Sequence, residues 1–137
     1  FAWFLADTRV FDPETRAMFA RLSADLPLAA GFWGMLLRSI LAGWLIALMI
    51  WLLPFAESAH VWVITALAYI VGLGHFPHIV AASVPAFYGV LTGGLGVGRC
   101  VTGFLIPTLL GNIVGGVAVV AALAHAEFVD ERHARRR

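Results

Sequence analysis

Two histidines and a proline occur within four residues, in His75-Phe76-Pro77-His78. The surroundings are apolar, since residues 58–98 include no Asp, Glu, Lys or Arg. An imidazole in such a place can bind a metal, offer an N–H to an anion, or exchange a proton near neutral pH. Each histidine could instead donate to a nearby backbone carbonyl and stabilise an irregular helix, so a structural role stays open for both.

A metal site fits this sequence poorly. Protein metal sites need three or four ligands of suitable type, and residues 58–126 include no Asp or Glu. The single cysteine, Cys100, is distant in sequence from both histidines. We therefore expect no bound metal and no other cofactor.

The composition indicates a membrane protein. Hydrophobic residues make up 61% and charged residues 12% of the 137 positions, and the mean hydropathy is +0.91. Soluble domains are roughly half apolar and a quarter charged. The net charge of +1 provides no basic surface, so we exclude nucleic-acid binding and expect a lipid bilayer as the environment.

Three apolar intervals are long enough to cross a bilayer, which takes about 20 residues in a helix. We predict transmembrane helices at about 28–53, 62–91 and 101–128. The second would be broken near 72–78, where two glycines accompany Pro77, because proline removes a backbone donor and clashes with the preceding turn.

The flanking segments differ in character. Residues 1–6 are apolar and lack an initiator Met, so we interpret them as the end of a preceding transmembrane helix whose beginning is missing. Residues 7–26 contain Asp12-Pro13-Glu14, a typical helix start, which predicts an extramembrane amphipathic helix at the interface; a solvated connector is the alternative. Residues 129–137 form a basic tail with four arginines, which favours a cytoplasmic C-terminus.

Two polar side chains lie within the predicted helices. Arg38 is the one formal charge well inside a span, where an unpaired arginine costs roughly 3 kcal/mol or more. It must snorkel, bind carbonyls of a neighbouring helix, or attract anions toward a pore. Asn112 lies between Gly111 and Gly115, a spacing typical of close helix packing. Its amide could hydrogen-bond across helices or hold the open backbone of a broken helix.

Two motifs resemble the C-terminal half of the formate/nitrite transporter family. The segment Gly74-His75-Phe76-Pro77-His78-Ile79-Val80-Ala81-Ala82-Ser83 resembles the family's broken fifth helix with its central pore histidine. The segment Ile106-Pro107-Thr108-Leu109-Leu110-Gly111-Asn112-Ile113-Val114-Gly115-Gly116 resembles its sixth-helix signature. The resemblance extends over nearly all of the chain and is greatest to the less characterised formate/nitrite-transporter-like inner-membrane proteins.

The resemblance implies an all-α integral membrane fold, an aquaporin-like helix bundle with broken helices. This chain would hold about the last three spans plus an interfacial helix, with residues 27–128 in one channel domain. The resemblance further implies a homopentamer in the cell inner membrane with both termini cytoplasmic. It implies no enzymatic activity, but a channel or proton-linked transporter whose partners are protons and small monovalent anions such as formate or nitrite.

The resemblance also suggests which residues form the pore. The family's central histidine corresponds to His78, because a run of small residues follows it, whereas His75 has no firm equivalent. The sequence departs from the family's pattern at two positions. Gly43 replaces an Asn that many relatives have in the fourth helix, and Val71 replaces a bulky aromatic residue that forms a constriction. The predicted pore and substrate residues are His78, Phe76, Val71, Asn112, Arg38 and His75, with the apolar members excluding water.

Two other classes of function stay open. A non-transporting structural or regulatory membrane subunit would use the histidines and Asn112 to stabilise broken helices, and the departure at Gly43 keeps this alternative open. A membrane enzyme with a metal held by the histidine pair is the weaker alternative, because a third ligand is lacking.

Overall fold

The computed structural model describes the backbone of residues 12–134 and the side chains of residues 12–125, and the regular structure in this part is helical. The helices are α1 (Pro13–Ala24), α2 (Gly31–Ala56), α3 (His60–Leu73), α4 (Ile79–Leu91), the single turn α5 (Val97–Cys100) and α6 (Ile106–Ala134). Short 3₁₀ turns at Leu28–Ala30 and Glu57–Ala59 flank α2, and a π-helical turn at Val101–Leu105 joins α5 to α6. The predicted helix end at 1–6, and residues 7–11 and 135–137, lie outside the described residues.

The helix bounds differ by a few residues from the spans expected from apolar intervals. α2 continues through Pro54 to Ala56, since a proline in the last turn removes only one helical hydrogen bond. α3 begins at His60, and the last helix extends past residue 128 to Ala134. Of these additions only the end of α6 includes charged residues, and Glu and Arg favour a helix about as well as most apolar residues do.

Two helical stretches of the described chain, Pro13–Leu73 and Val97–His125, are long and apolar enough to cross a membrane. α3 and α4 have 14 and 13 residues, or roughly 20 Å each at the helical rise. A hydrocarbon core is about 30 Å thick. Neither α3 nor α4 is therefore long enough to cross a bilayer by itself.

A seam of glycines joins α2 to α6. A Cβ added at Gly111 would lie 2.6 Å from the Ser39 Cβ on α2, and one at Gly115 would lie 2.8 Å from the Trp44 nitrogen. On α2, a Cβ added at Gly43 would lie 2.7 Å from the Asn112 Cα on α6. The two backbones approach so closely that side chains at these positions cannot be accommodated without moving the helices.

Gly115→Val is expected to lower the free energy of unfolding by about 3 kcal/mol, because its side chain would overlap the α2 backbone. The measurement is the unfolding midpoint of purified protein in detergent. Gly116→Val is the matched control, since a Cβ at Gly116 meets nothing within 4 Å. Both variants replace a glycine of the same helix by valine, so any effect of helix propensity is the same. Equal shifts for the two variants would contradict a tight seam.

Helix α1 begins at Pro13, and Asp12 caps it. The Asp12 carboxylate accepts hydrogen bonds from the Thr15 backbone N–H at 2.7 Å and from the Thr15 hydroxyl at 3.0 Å. The bond from the Thr15 backbone N–H is the main reason that the pKa of Asp12 lies below its usual value. The cap therefore stabilises α1 at neutral pH, and its contribution is lost as the pH falls through that lowered pKa.

One face of α1 packs against α4. The Tyr88 hydroxyl donates to the Arg16 carbonyl at 3.4 Å, and the Tyr88 ring lies 5.8 Å from the Phe19 ring, centre to centre. Ser23 is buried beside Gly89, where an added Cβ would lie 3.2 Å from the Ser23 Cβ. Phe19, which belongs to the apolar face of the predicted amphipathic helix, thus contacts another helix of the same chain.

Candidate functional site

The chain is non-helical for five residues between α3 and α4. His75 N–H donates to the Gly72 carbonyl and Phe76 N–H to the Val71 carbonyl, each at 3.0 Å, which closes the end of α3. His75 has φ +48°, a left-handed conformation that costs a non-glycine residue roughly 1–2 kcal/mol. The interruption therefore contains local strain beside a buried Pro77, and other contacts must maintain it.

Asn112 on α6 supplies those contacts. Its Oδ1 accepts a hydrogen bond from Ile79 N–H at 2.8 Å, while its Nδ2 donates to the Pro77 carbonyl at 3.2 Å and to the Ser39 carbonyl at 2.8 Å. Pro77 and Ile79 are the two neighbours of His78. One amide thus satisfies the backbone on both sides of His78 and ties it to α2, and a lipid environment would provide no replacement partner for these groups.

A cavity of about 650 Å³ lies beside the interruption. Four of the predicted pore residues, Val71, His75, Phe76 and His78, contribute to its wall. His78 is half-buried and takes an extended conformation immediately before α4. The cavity is therefore mostly apolar, with two imidazoles at the point where the helix is interrupted.

The other two predicted residues lie elsewhere. Asn112 is absent from the cavity wall and acts on the backbone behind it. Arg38 is exposed on α2 and does not line the cavity either. Within residues 12–125, no three His, Cys, Asp or Glu side chains are grouped so that they could share a metal ion.

The wall facing the histidines was not predicted from the sequence. It comes from the end of α1 and the turn after it, which contribute Phe19, Leu22, Asp25 and Leu26. The amphipathic pattern of α1 is the signal that could have indicated a packed face, but it does not identify the partner helix.

Comparison with known proteins places the chain in a family. Residues 1–126 match the family model described as formate/nitrite transporter. The chain belongs to the formate/nitrite transporter family. It is 34% identical over 136 residues to the inner membrane protein YfdC of Escherichia coli (strain K12). The aligned region covers 99% of this chain and 44% of YfdC. The chain thus spans less than half the length of YfdC, and no solved structure gave a significant match.

Membership confirms the resemblance noted in the sequence and makes the chain a membrane protein. At the level of the family it implies anion transport, and formate/nitrite transporters are typically not enzymes. The family match includes both the interruption between α3 and α4 and the Asn112 segment that holds it.

Proposed function

We propose that this chain forms the C-terminal half of a transmembrane channel or proton-linked transporter for small monovalent anions such as formate or nitrite. The observation that carries the proposal is the placement of His78. It contributes to a largely apolar cavity at the interruption of a helix, and Asn112 holds the backbone on both sides of it.

An anion that enters an apolar constriction loses its hydration, which is costly unless a donor replaces the water. Val71 and Phe76 provide the apolar wall, and the His78 imidazole can offer an N–H or a proton. His78 also immediately precedes α4, so the positive end of that helix dipole favours negative charge beside it. These three features suit a small anion that crosses with or without a proton.

The complete assembly is an aquaporin-like bundle with broken helices in the cell inner membrane. In this proposal the spans at 28–53, 62–91 and 101–128 belong to one channel domain, and α3 and α4 together make one crossing. Trp62 and Leu73 on α3 are 76% and 68% exposed, which leaves apolar surface for lipid, the N-terminal half or neighbouring subunits of a homopentamer. Both termini face the cytoplasm.

The test is flux into liposomes that contain the purified full-length protein. Formate and nitrite uptake is measured across external pH, with protein-free liposomes as the control. We expect uptake that rises toward acid pH, since protonation both neutralises the anion and charges an imidazole. An assembled oligomer that passes no small anion at any pH would overturn the proposal in favour of a structural subunit.

A further inference from the structure

A carboxylate lies in the wall of the cavity that contains the histidines. Asp25 is the C-cap residue of α1, and its backbone N–H donates to the Arg21 carbonyl at 2.8 Å. Asp25 is an exposed residue and lines the cavity together with His75 and His78. Among the described residues of this wall, Asp25 is the single Asp, Glu, Lys or Arg.

The charges near Asp25 leave the cavity negative when both histidines are neutral. Arg21, one turn earlier on α1, lines a different surface depression, and Arg99 lines a separate cavity of about 330 Å³ formed with Ser23 and Gly89. The groups that share the cavity with Asp25 are His75 and His78. Any positive charge on these two imidazoles would offset the negative charge of the Asp25 carboxylate.

We propose that Asp25 determines which charge state of the substrate enters the cavity. The inference rests on the proposed anion pathway and adds a specificity residue to it. A carboxylate in the wall repels a dissociated anion, and this repulsion is strongest when the histidines are neutral. A weak acid avoids the repulsion by entering as its neutral conjugate acid. The anion of a strong acid, such as nitrate, has no neutral form at these pH values and is excluded.

The test compares nitrate with formate uptake by the full-length protein in liposomes at pH 7.5. Asp25→Asn is expected to raise nitrate uptake about threefold to tenfold at low ionic strength and to change formate uptake less. The difference in nitrate uptake between Asp25→Asn and the wild type should disappear near 1 M of a salt with a large, impermeant anion, because the Debye length is then about 3 Å. Asp25→Glu should behave as the wild type.

Glu14→Gln is the matched control, because it makes the same change of charge on α1 at an exposed residue outside this cavity. Wild-type protein provides a second measurement that needs no variant: its nitrate-to-formate ratio should increase with salt. Two results would overturn the role of Asp25 and leave the proposed function intact. One is a protein that takes up formate but whose nitrate-to-formate ratio does not depend on salt. The other is an equal effect of Asp25→Asn and Glu14→Gln on nitrate uptake. Wild-type protein that passes neither anion would overturn the proposed function and this inference with it.

Discussion

Asn112→Leu is expected to lower the free energy of unfolding by about 3 kcal/mol, because it leaves several partly buried backbone groups without partners. Leucine is close to asparagine in size but offers neither the acceptor that Ile79 N–H uses nor the donor that the Pro77 carbonyl uses. Both groups lie where the helix is interrupted, so no helical hydrogen bond is at hand to replace them. The measurement is chemical unfolding of the purified protein in detergent.

Thr102→Val is the control for that variant. The Thr102 hydroxyl donates to the Gly98 carbonyl at 2.9 Å, a bond between residues four positions apart at an exposed site. Its loss should cost well under about 1 kcal/mol. Amide hydrogen exchange provides a local readout, because the Ile79 amide should exchange faster in Asn112→Leu alone. An Asn112→Leu protein as stable as Thr102→Val, with unchanged exchange at Ile79, would contradict the role of Asn112.

His78→Phe is expected to abolish pH-dependent anion flux while assembly stays intact. A hydrogen bond to a charged partner is worth about 1.5–3 kcal/mol, which corresponds to roughly tenfold to a hundredfold in rate. Phenylalanine fills similar space but offers neither an N–H nor a proton. Folding should tolerate the change, because Asn112 binds the backbone of the neighbouring residues and His78 makes no side-chain cap of α4.

The measurement is formate uptake across pH, with size-exclusion chromatography to verify assembly. His125→Phe is the matched control, since His125 is exposed on α6 and outside the cavity wall. Uptake by His78→Phe that equals uptake by His125→Phe would exclude His78 from the pathway.

The position of the interruption was predictable from the sequence because its causes are local. Gly74 and Pro77 disfavour a helix through their own covalent structure, and the structure ends α3 at Leu73 and begins α4 at Ile79. The cap at Asp12 is of the same kind, since its partner Thr15 is three residues away. Short-range chemistry of this sort can be seen in a single sequence.

The partners of the interruption were not predictable in the same way. Asn112 contacts Ile79 and Pro77 across 33 and 35 positions, and its residue type is compatible with several roles. Gly43 illustrates the limit: in the sequence it is only a departure from the pattern that the resemblance implies. The structure shows that any side chain at Gly43 would collide with the backbone of Asn112 itself. The positive φ of His75 was not predicted either, since histidine, although enriched among non-glycine residues at positive φ, is still found mostly at negative φ.

The bond from Asn112 to the Ser39 carbonyl connects the neighbours of His78 to α2 as well as to α6. α2 and α6 are held to each other through backbone contact at Gly43, Gly111 and Gly115. Helices in thinner or thicker bilayers adapt mainly by tilting, and two helices in backbone contact must tilt together. We therefore expect His78 to move with the α2–α6 pair when lipid chain length changes, rather than with α3 or α4 alone.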